Sequence, residues 1–266
     1  MFEEFYGFKT TPFSRTIPPE NLYPSTGHEE TQNRLFYAAG RQLFAVLTGS
    51  SGAGKTTALR GFCESLKNTE YKVLYISDSK LTPRHFYKGL LEQLGCEAKF
   101  YRGDAKRQLH KEIEVMKAIQ HIKPVVLVDE AHLLDKEMLE EVRFLLNFKM
   151  DSESPMALIL AGQTELLDRL KLQAYAAIRQ RIDIMCFLPS LDRSQTCEYM
   201  KAHLSYADAN GELFTDAAID EIFLYSSGIP RLINKVCTGT LIYAAQNRKA
   251  LIDDRMIRLV IEGELL

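Results

Sequence analysis

Short apolar runs at residues 44–47, 73–76, 125–128 and 157–160 punctuate the N-terminal part of the chain, each bounded by turn or helix signals and none alternating with polar residues. Unalternated runs of that length are the mark of strands buried on both faces of a parallel sheet. A helical pattern over 28–42, with Leu35, Phe36 and Ala39 on one face, precedes them, and further helical segments lie near 56–68, 82–94, 105–121 and 136–150. Strand and helix thus alternate, which predicts an α/β core with right-handed crossovers. A further short strand is expected at 182–187, and Pro189 ends the pattern. Beyond Asp192 only helical spacing recurs, at 194–207, 215–226, 230–247 and 254–263, with Thr215 and Asp253 or Asp254 as N-caps. This predicts a small all-helical second domain.

Residues 1–24 are rich in aromatics and prolines, among them Phe5, Tyr6, Phe8, Pro12, Phe13 and Tyr23, and show no period. They are too apolar for a disordered tail and are expected to pack on the core. The expected division is therefore 1–24 as this segment, 25–191 as the α/β domain and 192–266 as the helical domain. A length of 266 residues suits such a pair of units. The formal charge of -2 gives no global electrostatic footprint for nucleic acid, so any such binding must come from a local basic patch. The five cysteines form no C-x-x-C pair and fit a reducing compartment. The acidic, aromatic N-terminus lacks the features of a signal peptide, and no apolar run approaches the roughly 20 residues of a membrane span. A cytoplasmic location without membrane insertion is expected.

The chemistry concentrates in Gly49-Ser50-Ser51-Gly52-Ala53-Gly54-Lys55-Thr56, which matches G-x-x-x-x-G-K-[ST] at every fixed position. A strand pattern precedes it and a helical pattern, opening with Thr57, follows. Glycines in such a loop let successive backbone N–H groups face phosphate oxygens, and the following helix adds its dipole. Lys55 is placed to neutralise the β and γ oxygens of ATP, and Thr56 to ligate Mg2+. The apolar run 125–128 ends in Asp129-Glu130. Downstream of a P-loop, a carboxylate pair at a strand end has a defined division of labour, with Asp129 holding the metal and Glu130 polarising the attacking water. The letters Asp129-Glu130-Ala131-His132 also occur in a helicase motif, but other helicase motifs are not evident.

Gln163 closes the run 157–160 and is placed beside the Asp129 strand, in reach of the γ-phosphate or the attacking water; as a loop residue it would instead cap the next helix. Arg179 and Arg181 flank the start of the last strand, where one of them could act across a subunit boundary on the transferring phosphoryl group. Arg231 follows Pro230 at a helix start, where the dipole disfavours a cation and an anion is needed nearby. Its candidates are the γ-phosphate, bound from a lid, or a carboxylate such as Asp216 or Glu221.

Together the P-loop, the Asp-Glu strand end, the polar strand end, the paired arginines and Gly228-Ile229-Pro230-Arg231 resemble an AAA+ ATPase. More narrowly, Phe5-Tyr6-Gly7-Phe8 with Thr11-Pro12-Phe13, Leu160-Ala161-Gly162-Gln163-Thr164-Glu165-Leu166 and Gln180-Arg181-Ile182 resemble the ExeA/GspA-like branch. That branch is similar to transposon-encoded TniB/TnsC-type and Mu B-like ATPases. Secretion members usually continue into a membrane segment, so a chain ending after its lid resembles the transposon type. The resemblance implies ATP and Mg2+ as cofactors, homo-oligomeric rings or filaments on double-stranded DNA, and a transposase partner; assembly of a secretion complex is the alternative. A local DNA surface is sought in the basic, aromatic stretch 99–107, where Lys99, Arg102, Lys106 and Arg107 are the candidates, joined by Lys80 and Arg84.

Overall fold

The structure, a computed structural model, describes residues 2–77, 81–146, 154–209 and 211–264. Lys80 and the C-terminal end of the helix expected over 136–150 lie outside these residues. The chain divides into a sheet unit, residues 27–49 with 55–188, and a helical unit, residues 1–26, 50–54 and 189–266.

In the sheet unit, strands β1 (Phe44–Gly49), β2 (Tyr71–Ile76), β3 (Lys123–Val128), β4 (Ala157–Gly162) and β5 (Ile184–Leu188) form one parallel sheet in the order β2-β3-β4-β1-β5. Its helices are α2 (Thr26–Arg41), α3 (Lys55–Ser65), α4 (Pro83–Gln93), α5 (Arg102–Val115), α6 (Lys136–Leu145), α7 (Thr164–Lys171) and α8 (Ala176–Arg179). The expected alternation is thus present. β1 and β4 are buried at every position, and β3 at every position after Lys123, because these strands are covered on both faces. The core packs Val46, Val126 and Leu158 against Phe86, Leu90, Leu109 and Val142, each fully buried; each such side chain contributes about 1.5–3 kcal/mol.

Two expectations shift here. The run 73–76 was expected to be buried on both faces, but β2 is an edge strand whose alternate side chains face outward, leaving Tyr75 40% exposed. α5 begins at Arg102, ahead of the expected 105, and runs into a π-helical turn, Met116–Gln120, that ends where His121 adopts the left-handed conformation. Thr82 caps α4 by accepting from His85 N, with Pro83 in the first turn where its missing N–H costs nothing.

The helical unit contains α1 (Phe2–Tyr6), α9 (Arg193–Tyr206), α10 (Asp216–Ser226), α11 (Pro230–Gln246) and α12 (Asp254–Glu264). Asp192 and Gln195 form a capping box at α9, Thr215 accepts from Ala218 N at α10, and Asp253 accepts from Met256 N at α12. A single parallel bridge, Phe214 to Ile252, stands where only helix was expected. The N-terminal segment, expected on the α/β core, packs in this unit instead. Phe8 and Phe13 join Met200, Ala207, Val236 and Leu241 in its core, and Phe13 stacks on the His203 ring at 5.2 Å. Tyr6 donates to Lys249 O at 2.9 Å and Lys9 N to Ala207 O at 3.0 Å. Burial pushes the His203 pKa down to about 4, so that ring sits neutral between Phe13 and Tyr199. No helix among the described residues is long and apolar enough to cross a membrane.

Candidate functional site

Ligands of open parallel sheets gather outside the carboxyl ends of the strands. The motif residues of the sheet unit converge there. β4 pairs with β1 on one side and β3 on the other, so Gln163, just past the end of β4, emerges between the strand that leads into the P-loop and the strand that leads to Asp129.

Lys55 opens α3, is 8% exposed, and donates from Nζ to Gly49 O at 2.9 Å. The ammonium therefore folds back over the start of its own loop, at a helix N-terminus whose dipole favours an anion. The next residue, Thr56, donates from Oγ1 to Asp129 Oδ2 at 2.9 Å. Asp129 is 4% exposed. Its other oxygen, Oδ1, accepts the Glu130 N–H at 2.8 Å, and Tyr75 on β2 donates its hydroxyl to Oδ2 at 3.1 Å. Three donors on a nearly buried carboxylate fix its orientation. Burial, then the Asp129 charge, pushes the Tyr75 phenol up to about 12, so it stays a donor at neutral pH.

Glu130 takes the left-handed conformation, φ 51°, a placement that costs a non-glycine residue of order 1 kcal/mol and is held here by the Asp129 side chain. Its carboxylate is 46% exposed, and Oε2 lies 3.4 Å from His132 Nδ1. His132 is in turn fixed by Arg169, which donates to its carbonyl at 2.8 Å, while Gln163 N lies 3.5 Å from Nδ1. Gln163 occupies the N-cap position of α7 without a side-chain cap bond, so its amide is not used as a helix cap. Thr56 and Asp129 are thus joined directly, Lys55 precedes Thr56 at the start of α3, and the Glu130 carboxylate and the Gln163 backbone N–H both approach His132. Tyr75, His132 and Arg169 were missed by the sequence reading.

The two arginines differ. Arg179 donates to Leu170 O at 2.9 Å and Lys171 O at 2.6 Å, so its guanidinium satisfies carbonyls at the C-terminus of α7. For Arg179 to act in trans on a phosphoryl group, its guanidinium would have to leave these carbonyls. Arg181 is half-buried in the turn before β5.

In the helical unit, residues 50–54 of the P-loop cluster with the start of α11. Gly52, at φ 81°, accepts from Arg231 N at 3.3 Å, and a Cβ on Gly52 would lie 2.8 Å from Arg231 Cβ and 3.0 Å from Ile229 Cγ2. Only glycine fits that approach. The entry to α11 is set by Gly228, φ 71°, where a Cβ would lie 1.7 Å from Leu191 O. The carboxylates considered as Arg231 partners are taken by other cations: Asp216 lies 3.8 Å from Arg193, and Glu221 accepts from Arg258 at 2.7 Å.

Several side chains of the 99–107 cluster have partners within the chain. Glu141 on α6 is fully buried and accepts from Tyr87, from Arg102 and, at 3.1 Å, from Lys106. Burial alone would raise its pKa, but Tyr87, Lys106 and Arg102 together hold it below the usual carboxylate range. Arg102 also reaches Glu137 at 2.9 Å, Arg107 pairs with Asp104, and Lys99 N donates to Gln108 at 3.1 Å. Of the charges expected to face DNA phosphates, Arg102, Lys106 and Arg107 pair with carboxylates. Arg84 lies 4.2 Å over the exposed Phe100 ring.

A family model described as AAA domain matches residues 38–170. General secretion pathway protein A of Aeromonas hydrophila is 32% identical over 92% of this chain, which spans 45% of that protein. The Drosophila ORC structure bound to DNA superposes with a TM-score of 0.74 at 18% identity, covering 96% of this chain and 64% of that one. Aeropyrum pernix ORC2, in ADPNP-ADP complexes, gives 0.70 at 14% identity, covering 94% of this chain and 71% of that one.

Proposed function

We propose, from the premise that the chain belongs to the AAA domain family, that it is an ATPase whose ATP-bound form assembles on double-stranded DNA and there recruits or activates a transposase. The observation that carries the enzymatic part is the Thr56–Asp129 hydrogen bond at 2.9 Å beside a nearly buried Lys55. Hydroxyl and carboxylate oxygens are the hard donors Mg2+ takes in nucleotide sites, and the pair is already aligned, so the residues fit that ion. A bound Mg2+ would supply neutralisation of charge on the β and γ oxygens.

The chain's own residues do the rest. Backbone N–H groups of Gly49, Ser50, Ser51, Gly52, Ala53 and Gly54, with Thr57 in the first turn of α3, cradle phosphate oxygens, and Lys55 transfers its hydrogen bond from Gly49 O to them. Thr56 and Asp129 hold the metal. Glu130, next to the metal-holding carboxylate yet solvent-accessible, takes the proton of the attacking water. Gln163 orients that water or the γ-phosphate, and Arg181 of a neighbouring subunit meets the transferring group in trans. Arg231, its backbone bonded to the P-loop at Gly52, reads the γ-phosphate. Replacing it, Arg231→Ala, should leave ATP affinity within about fivefold and the melting temperature within a few degrees, while nucleotide-dependent assembly is lost. Sedimentation with and without ATP checks this, and unchanged assembly would reduce Arg231 to a structural residue.

Support for DNA comes from motifs that resemble the ExeA/GspA-like branch, which is similar to TniB/TnsC-type ATPases, and from the fold shared with an ORC structure that is bound to DNA. The DNA surface in this reading is the stretch 99–107, with Lys99, Arg102, Lys106 and Arg107; phosphates would exchange with the carboxylate partners of the last three, and such exposed pairs as Arg107–Asp104 are weak enough to yield. Secretion-complex assembly is the second reading, favoured by the 32% identity with general secretion pathway protein A. The two separate by ATP turnover measured with and without duplex DNA across a salt series. The transposition reading expects stimulation that falls steeply between about 50 and 200 mM salt. Turnover indifferent to DNA, with no ATP-dependent DNA binding, would contradict it and favour the secretion reading.

A further inference from the structure

We propose that Tyr75 is a positioning residue for the metal-holding carboxylate: its hydroxyl is the second clamp on Asp129 Oδ2, and α4 holds Tyr75 in place through Gln93. This rests on the reading of Asp129 as the Mg2+ holder. A carboxylate has about four acceptor positions. In this structure Thr56 and Tyr75 take both on Oδ2, at 2.9 and 3.1 Å, and the Glu130 N–H takes one on Oδ1 at 2.8 Å. The two hydroxyls come from different elements, one from α3 and one from β2, so Asp129 cannot turn about its own side-chain bonds without breaking one of them. One position on Oδ1 is left for a further donor.

Strand register delivers the hydroxyl. β2 and β3 are parallel with Tyr75 opposite Leu127 and Ile76 opposite Val128, and Asp129 N continues the ladder to Ile76 O at 2.8 Å. Tyr75 and Asp129 thus share a face as a diagonal pair, a separation that suits a long aromatic side chain. β2 is the sheet's edge, so the outward backbone groups of Tyr75 have no partner strand. Gln93 at the end of α4 substitutes for one: its Oε1 accepts Tyr75 N at 2.8 Å, and its Nε2 donates to Tyr75 O at 2.9 Å and Gly89 O at 3.2 Å. A two-way amide bracket on a single exposed edge residue is more than edge protection requires. It fixes the one residue of β2 whose side chain reaches Asp129.

The test reads an equilibrium rather than turnover. The melting temperature of the ADP complex is followed as Mg2+ is titrated, for the wild type, Tyr75→Phe, Gln93→Ala and the double variant. Tyr75→Phe should raise the half-saturating Mg2+ roughly fivefold to tenfold, the net weight of one ordinary intramolecular hydrogen bond, while the Mg2+-free melting temperature stays near wild type because the side chain is partly exposed. Gln93→Ala should shift the midpoint the same way by less, and the double variant should shift it no further than Tyr75→Phe alone, since both act through one hydroxyl. A normal wild-type response with an unchanged midpoint in Tyr75→Phe, or a double variant that adds the two single shifts, would overturn the inference. A wild-type melting temperature indifferent to Mg2+ would overturn the nucleotide reading and the inference together.

Discussion

Glu130→Gln is expected to bind ATP with near wild-type affinity and to turn it over about 100- to 10,000-fold more slowly, the usual weight of a general base. The amide keeps the shape of the carboxylate but cannot take a proton. Binding survives because Lys55, Thr56 and Asp129 are placed without the Glu130 side chain: Thr56 bonds Asp129 directly at 2.9 Å, and Glu130 contributes only its backbone N–H to Oδ1. The fold survives because the Glu130 side chain is 46% exposed and its pairing with His132, at 3.4 Å, is solvent-screened. The variant should therefore accumulate in the ATP-bound, assembled state. Single-turnover hydrolysis and equilibrium binding of ATP are the measurements, and wild-type turnover would remove Glu130 from its assigned role.

Lys55→Ala is expected to weaken ATP binding at least roughly a hundredfold, from about 3 kcal/mol for truncating one partner of a nearly buried charge pair. The arithmetic favours a binding effect over a folding effect. The Lys55 ammonium, 8% exposed, donates to Gly49 O at 2.9 Å; its loss removes a desolvated charge together with that charge's hydrogen bonding, and the two changes oppose each other in the unliganded fold. The unliganded melting temperature should move by only a few degrees. Calorimetric titration with ATP and a thermal melt together distinguish this outcome from simple unfolding, which would lower both.

What could be read from the chain and what could not divide along a physical line. Gly49 to Thr56 and Asp129-Glu130 are local: their chemistry depends on spacing within one segment, and the apolar runs around them identify the strands that carry them. The same holds for Pro230-Arg231, whose helix start follows from proline's φ. Tyr75 was not legible, because its partner is set by the register of two strands about fifty residues apart, and the run 73–76 was taken as buried on both faces when its strand is at the edge. The available signal was Lys72 and Tyr75 themselves, a charged and a hydroxyl-bearing side chain that an edge strand tolerates and a strand covered on both faces does not; both are exposed. That Arg102 and Lys106 meet Glu141 was not legible either, because Glu141 lies 39 and 35 residues away and reaches them only in the folded chain. The N-terminal aromatics announced that something would be covered, but periodless sequence carries no address. Phe13 found His203, and Tyr6 found Lys249.

The central claim is a nucleotide-gated assembly, with the P-loop and Asp129 binding ATP and Mg2+ and Glu130 ending the assembled state. It is tested most directly by sedimentation of Glu130→Gln on duplex DNA with Mg2+ and either ATP or ADP. The account predicts large, persistent complexes in ATP and protomers in ADP; identical sedimentation with ATP, with ADP and without nucleotide would contradict it.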